Sequence, residues 1–300
     1  SSNATVIRVS TTTEGKQVCF GWVETDYFHI ILYDSNTGST VFTKHPPIPA
    51  NYTEFAVRGG NSSCHVLLAT DTQIHYRRWD PLDLDTYFGN AYDQVVGAGT
   101  TISLAAHLTA PLSALGCWRD SYDAASAKAF CAIFNDGALT ITPVQIGETG
   151  VASIQALVLA NPETSVVIFG LQTDLKPTLF KTTGTDPRDF TLNSTQTFGF
   201  STSVQVGTVS PGLLSVTYTF ANLISLLSYD PSTLTPPSTQ FVIFNNLTNV
   251  ADARYTTMIP SFSSTYSFLY YLDPSKSRKF QIPHVSKMNH KSAISLERFV

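Results

Sequence analysis

No run of eighteen or more apolar residues occurs in the 300-residue chain, so it offers no helix of membrane-spanning length. Charge is also scarce. Charged residues make up 13% of the chain against 12% aromatic, the opposite of a disordered composition. A net charge of -4 gives no electrostatic case for a nucleic-acid partner. That charge is unevenly spread: residues 276–300 sum to +5, which leaves -9 for the first 275.

The motifs of common catalytic classes are missing too. There is no Gly-x-Ser-x-Gly, no His-Glu-x-x-His and no glycine-rich phosphate loop. The Ser-x-Asp-x-Gly-x-x-Trp turn of sialidases is absent. Only six glutamates occur (Glu14, Glu24, Glu54, Glu148, Glu163 and Glu297), and most flank turns. A propeller glycosidase needs two or three convergent carboxylates, and no convincing set stands out. The seven histidines are scattered without a pair at ligand spacing.

What the chain does have is strand chemistry. Lys128 to Val144, KAFCAIFNDGALTITPV, reads as an apolar strand, a turn at Asn135-Asp136-Gly137, and a second strand alternating Leu139, Ile141 and Val144. Asn and Gly accept the positive φ that a tight hairpin turn requires. Variants of the first strand recur: FHIILYD ending at Asp34, CHVLLATD at Asp71, SVVIFGLQTD at Asp174, LISLLSYD at Asp230 and YSFLYYLD at Asp273. With Asp136 these make six copies at intervals of 37, 65, 38, 56 and 43 residues, a mean near 48. Such a period, with several strands per repeat, predicts an all-β, six-bladed β-propeller occupying residues 1–300 as a single domain. Seven blades would result if the 65-residue interval hid a further one.

A ring of blades must also close. Ile294-Ser295-Leu296 matches Ile102-Ser103-Leu104, the start of the third repeat, so the C-terminal strand is expected to supply the inner strand of blade one. The competing reading is a frayed basic tail.

The four cysteines allow three pairings. Cys117 and Cys131 fall on adjacent strands of one predicted hairpin, which favours their bond and leaves Cys19 with Cys64; four buried thiols are the alternative. Five Asn-X-Ser/Thr triplets, at Asn3, Asn51, Asn61, Asn193 and Asn246, lack an intervening proline. Together with the cysteines they predict a secreted or cell-surface glycoprotein whose leader has been removed.

Two candidate sites emerge. Arg78 and Trp79, and Trp118 and Arg119, each join an indole to a guanidinium near a strand end. Sugar recognition uses an apolar face to stack on and a charged group to bind hydroxyls. Because His65 to Thr142 carries no glycosylation triplet, the ligand surface is expected around blades two and three. Inter-blade packing of the tryptophans is the competing reading. Asp80, Asp83 and Asp85 are the one carboxylate cluster and could bind calcium, or simply form a turn.

The segments TISLAAH, AIFNDGALTI and DTQIHYRRWD resemble the repeats of fungal fucose-binding lectins, which are secreted six-bladed propellers of this size. The resemblance implies sugar sites between blades, built from an arginine, a glutamate of the next strand and an aromatic platform. Here Tyr76 and Ile141 stand near the places of that glutamate. The leading expectation is a non-enzymatic binding module for a glycan or glycoprotein. A propeller hydrolase of glycosidase or lactonase type, and a protein-binding attachment or effector ectodomain, are the alternatives.

Overall fold

A computed structural model of the chain describes residues 7–11, 16–49, 51–60, 62–83, 94–106, 113–123, 125–135 and 142–160, and thereafter the strands; side-chain surroundings extend to Ala156. Among the described residues there is no helix. The strands form six four-stranded antiparallel sheets, each in simple sequence order. Sheet 1 comprises β1 (Ile7–Thr11), β2 (Gln17–Glu24), β3 (Tyr27–Asp34) and β4 (Ser39–Lys44). Sheet 2 holds β5 (Tyr52–Gly59), β6 (Cys64–Thr70), β7 (Ile74–Trp79) and β8 (Gln94–Val96). In sheet 3 are β9 (Thr100–Ala106), β10 (Ser113–Arg119), β11 (Lys128–Asn135) and β12 (Val144–Thr149). Sheet 4 has β13 (Val151–Ala160), β14 (Glu163–Leu171), β15 (Pro177–Lys181) and β16 (Thr191–Thr195). Sheet 5 has β17 (Ser203–Ser210), β18 (Leu213–Phe220), β19 (Leu223–Tyr229) and β20 (Phe241–Phe244). Sheet 6 is β21 (Thr257–Pro260), β22 (Tyr266–Asp273), β23 (Lys276–Pro283) and β24 (Leu296–Glu297).

The first strands of successive sheets stand against one another, β1 to β5, β5 to β9, β9 to β13, β13 to β17 and β17 to β21. Short antiparallel sheets radiating from a row of inner strands are the architecture of a β-propeller. Two hydrogen bonds fix the sense of that row in sheets 2 and 3. Thr100 at the start of β9 donates to Glu54 near the start of β5, and Arg58 late in β5 donates to the Leu104 carbonyl late in β9. The inner strands therefore run the same way, and each sheet has an entry end and an exit end.

Burial follows the position of each sheet. β6 is buried at every residue, because sheet 2 packs on sheet 1 through one face and on sheet 3 through the other. β2 and β3 alternate instead, with Cys19, Val23, Phe28, Ile30 and Leu32 buried toward sheet 2. Gly21 permits the closest approach there: a Cβ at that position would stand 2.5 Å from a Val57 methyl. The disulfides match the expected pairing. Cys117 and Cys131 are opposed on β10 and β11, with Cα atoms 4.1 Å apart. Cys19 and Cys64 join the second strand of sheet 1 to the second strand of sheet 2.

One expectation changes. The C-terminal strand β24 pairs with β23 as the fourth strand of sheet 6, and β1 from the N-terminal region supplies the first strand of sheet 1. Closure of blade one by the C-terminal strand is thus corrected. Among the described residues of 71–136 there is no extra sheet: β7 and β8 complete sheet 2, and β9 and β10 open sheet 3. In the Lys128–Val144 stretch, β11 ends at Asn135 and β12 starts at Val144; Asp136, Gly137, Leu139 and Ile141 lie outside the described residues.

Candidate functional site

At the entry end of sheets 2 and 3, four side chains of complementary chemistry come together. Glu54 stands near the start of β5, and Thr100 opens β9 and donates its hydroxyl to Glu54 Oε1 at 3.0 Å. Arg119, the last residue of β10, lies opposite Thr100 in the register. A Nη1 donor of Arg119 reaches the Val151 carbonyl of sheet 4 at 3.4 Å. Burial pulls the Arg119 pKa down, while the nearby Glu54 and Tyr122 oppose that shift. Tyr122 is 60% exposed, so its ring faces solvent beside this cation.

The backbone is bent to make this corner. The β9–β10 register shifts between Cys117 and Arg119, and Thr101 adopts φ of +53°. A β-branched residue is disfavoured in the left-handed region, so the surrounding sheet holds it there. The loop that carries Tyr122 is tied at both ends. Asp120 accepts the Lys128 amide at 2.8 Å and donates its own amide to the Lys128 carbonyl. Within it, Asp123 accepts the Ser126 hydroxyl and the Ala125 amide, which lower its pKa. A guanidinium, a carboxylate, a hydroxyl and an exposed phenol at one end of the sheets can bind vicinal hydroxyls and offer a ring to an apolar sugar face.

A second group occupies the same end of sheet 1. The half-buried Trp22 indole stacks on His29, with centroids 4.9 Å apart and planes 8° from parallel. His29 and His45 share a hydrogen bond between their Nδ1 atoms at 2.6 Å, and Glu24 lies 3.8 Å from His29 Nε2. Burial and then His45 lower the His29 pKa, and Glu24 opposes them.

The four residues expected to share one site do not meet. Arg119 belongs to the entry end. Arg78 and Trp79 close β7 beside Cys64 and His65, at the exit end. Both indoles are core: Trp79 is fully buried between sheets 1 and 2, and Trp118 is 3% exposed between sheets 2 and 3 against Ile74, Leu67 and Phe134. A ring packed on both faces cannot receive a sugar, so both tryptophans leave the site. Arg78 pairs with Asp80 at 3.0 Å.

Asp80 also accepts the Leu82 and Asp83 amides, and Asp83 accepts the Asp80 amide, which makes WDPLD a braced turn. Asp85 lies outside the described residues, and among the described residues no three acidic, histidine or cysteine groups converge for a metal. Of the glycosylation triplets, Asn51 is exposed at φ +61° and Asn193 falls in β16. Asn3, Asn61 and Asn246 lie outside the described residues.

Sequence reasoning missed Glu54 and Tyr122. Glu54 and Arg119 sit 65 positions apart on different sheets, so no local motif joins them. The usable signal was that EFAVRG carries a glutamate at the start of an otherwise inner strand. The His29–His45 pair was hidden in the same way, by a hairpin that returns one strand beside another.

No protein-family model matches the chain, and no curated protein does. Solved structures do. Prolyl oligopeptidase B from Galerina marginata aligns at TM-score 0.55 and 11% identity over 93% of this chain. This chain spans only 43% of that one. The BP39L lectin from Burkholderia pseudomallei aligns at TM-score 0.64 and 12% identity, covering 95% of this chain and 82% of that one. Aleuria aurantia lectin, solved with α-methyl-L-fucoside, aligns at 0.54 and 9%, covering 96% and 93%. The β-propeller fold expected from the strand rhythm is therefore found, at identities that speak to fold alone.

Proposed function

We propose that the chain is a single-domain, six-bladed propeller, secreted or displayed on a cell surface, that binds carbohydrate at the entry end of its second and third sheets. The carrying observation is the entry-end cluster: Arg119 beside Glu54, Thr100 on Glu54, and the exposed Tyr122 ring on a tied loop. Arg119 donates to sugar hydroxyls, Glu54 accepts from them, and Tyr122 covers an apolar ring face. This takes over the arginine, carboxylate and aromatic roles that the lectin resemblance implies, with Glu54 supplying the carboxylate from an inner strand.

The two disulfides fit an oxidising compartment, as do the exposed Asn51 triplet and the low lysine content. Asn51 lies three residues before Glu54, so a glycan there would border the cluster. The test is a glycan array probed with the full chain, repeated with Glu54→Gln and in the presence of a chelator. A defined set of glycans bound by wild type and lost with Glu54→Gln supports the reading. Binding to no glycan, or to the same set with Glu54→Gln, contradicts it.

A further inference from the structure

The exit end of the inner-strand row poses the opposite electrostatic problem. Only three residues on the six first strands are charged: Arg8, Glu54 and Arg58. Glu54 is four positions before Arg58 on β5, about 13 Å away at strand rise. Its carboxylate is engaged by Thr100 at the entry end. Arg8 lies over the Phe55 ring, 5.9 Å from its centroid. Arg58 is therefore the one charged residue of the first strands at the exit end.

Its neighbours are neutral. Arg58 Nε donates to the Leu104 carbonyl of β9 at 2.7 Å, and Nη1 approaches the Ser10 hydroxyl of β1 at 3.5 Å. The same Ser10 oxygen takes the Gly59 amide at 3.4 Å. No described carboxylate reaches the guanidinium, and burial pulls its pKa down. A guanidinium has five N–H donors, and among the described residues Nη2 has no acceptor. The next residues in the row, His65 and Arg78, add a buried imidazole and a second guanidinium, the latter paired with Asp80. A half-buried cation held by a carbonyl and a hydroxyl keeps an uncommitted edge that the oxygens of an anion can engage.

We propose that the exit end of the inner row is an oxyanion site, in which Arg58 and Ser10 take a sulfate, phosphate or carboxylate group between β1, β5 and β9. The planar fork of arginine suits two oxygens of such a group. The group is either a free ion or the acidic substituent of a larger ligand. This site is separate from the Glu54–Arg119 cluster, and neither depends on the other.

The experiment follows the thermal midpoint of the full chain as sulfate replaces chloride at constant ionic strength. Wild type is expected to show a saturable rise. Arg58→Lys, which keeps the charge and loses the fork, moves half-saturation up by about tenfold. Lys16→Gln, which removes an exposed charge at the same end, leaves it within about twofold. The absence of a saturable rise in wild type with both sulfate and phosphate overturns the proposal, as does an unchanged curve for Arg58→Lys. Should that variant fail to fold, wild type decides alone. Displacement of sulfate by methyl glucuronide assigns the site to an acidic sugar; binding of inorganic ions only assigns it to a free anion.

Discussion

The two ends of sheets 2 and 3 present the same kinds of residue in opposite balance. At the entry end Arg119 has Glu54 for company, a hydroxyl between the strands, and an exposed phenol. At the exit end Arg58 has only a carbonyl and a hydroxyl, with Trp79 buried one row away. An arginine among acceptors at a solvent-facing mouth is suited to exchange partners with a polyol. An arginine among neutral groups inside the row is suited to hold one anion. Composition alone does not separate these roles; the position of the nearest carboxylate does.

The comparison breaks most visibly at the tryptophans. Trp79→Ala and Trp118→Ala each remove a buried ring and should cost about 3–5 kcal/mol of stability by denaturant titration. A surface platform would lose binding at unchanged stability. Next come the disulfides. Cys19–Cys64 closes a separation of 45 residues and joins two sheets, whereas Cys117–Cys131 closes 14 within one. Replacing the first pair with alanine should lower stability by about 4 kcal/mol and the second by about 3 kcal/mol, in the loop-entropy account. Equal midpoints in reducing and oxidising buffer would contradict both.

A smaller effect concerns His29. Its pKa is lowered in the folded chain, so the folded state disfavours the proton more than the unfolded state does. Stability should be full above the ordinary imidazole value of about 6.5 and fall as pH drops through that value toward the folded one. Thermal midpoints between neutral and mildly acidic pH read this slope, and His29→Gln should flatten it. A midpoint that rises on acidification would show that Glu24 outweighs burial and His45.

The fold was legible because apolar strands that end in turns, such as CHVLLATD, recur along the chain. The phase of the repeat was not. The apolar strand ending at Asp is the third strand in sheets 1, 3 and 5 but the second in sheets 2, 4 and 6, as with β3 against β6. Second and third strands are both buried and both end in turns, so the sequence cannot tell them apart locally. Intervals consequently alternate short and long. Counted from first strands, which begin at 7, 52, 100, 151, 203 and 257, the spacing is an even 45 to 54 residues. The site was half legible for a related reason. Arg119 was found because Trp118-Arg119 is adjacent in sequence, but alternation sends the two side chains to opposite faces, one to sheet 2 and the other to sheet 4. Reading Arg78-Trp79 and Trp118-Arg119 as like motifs ignored that β7 ends at the exit and β10 at the entry.

The most direct test sets those two arginines against each other. Isothermal titration with the strongest glycan from the array should show Arg119→Ala weakening binding by at least about tenfold, the loss of one charge-assisted contact. Arg78→Ala, at the far end, should leave the affinity within about twofold. If Arg78→Ala abolishes binding and Arg119→Ala leaves it unchanged, the ligand sits at the exit end and the account is wrong.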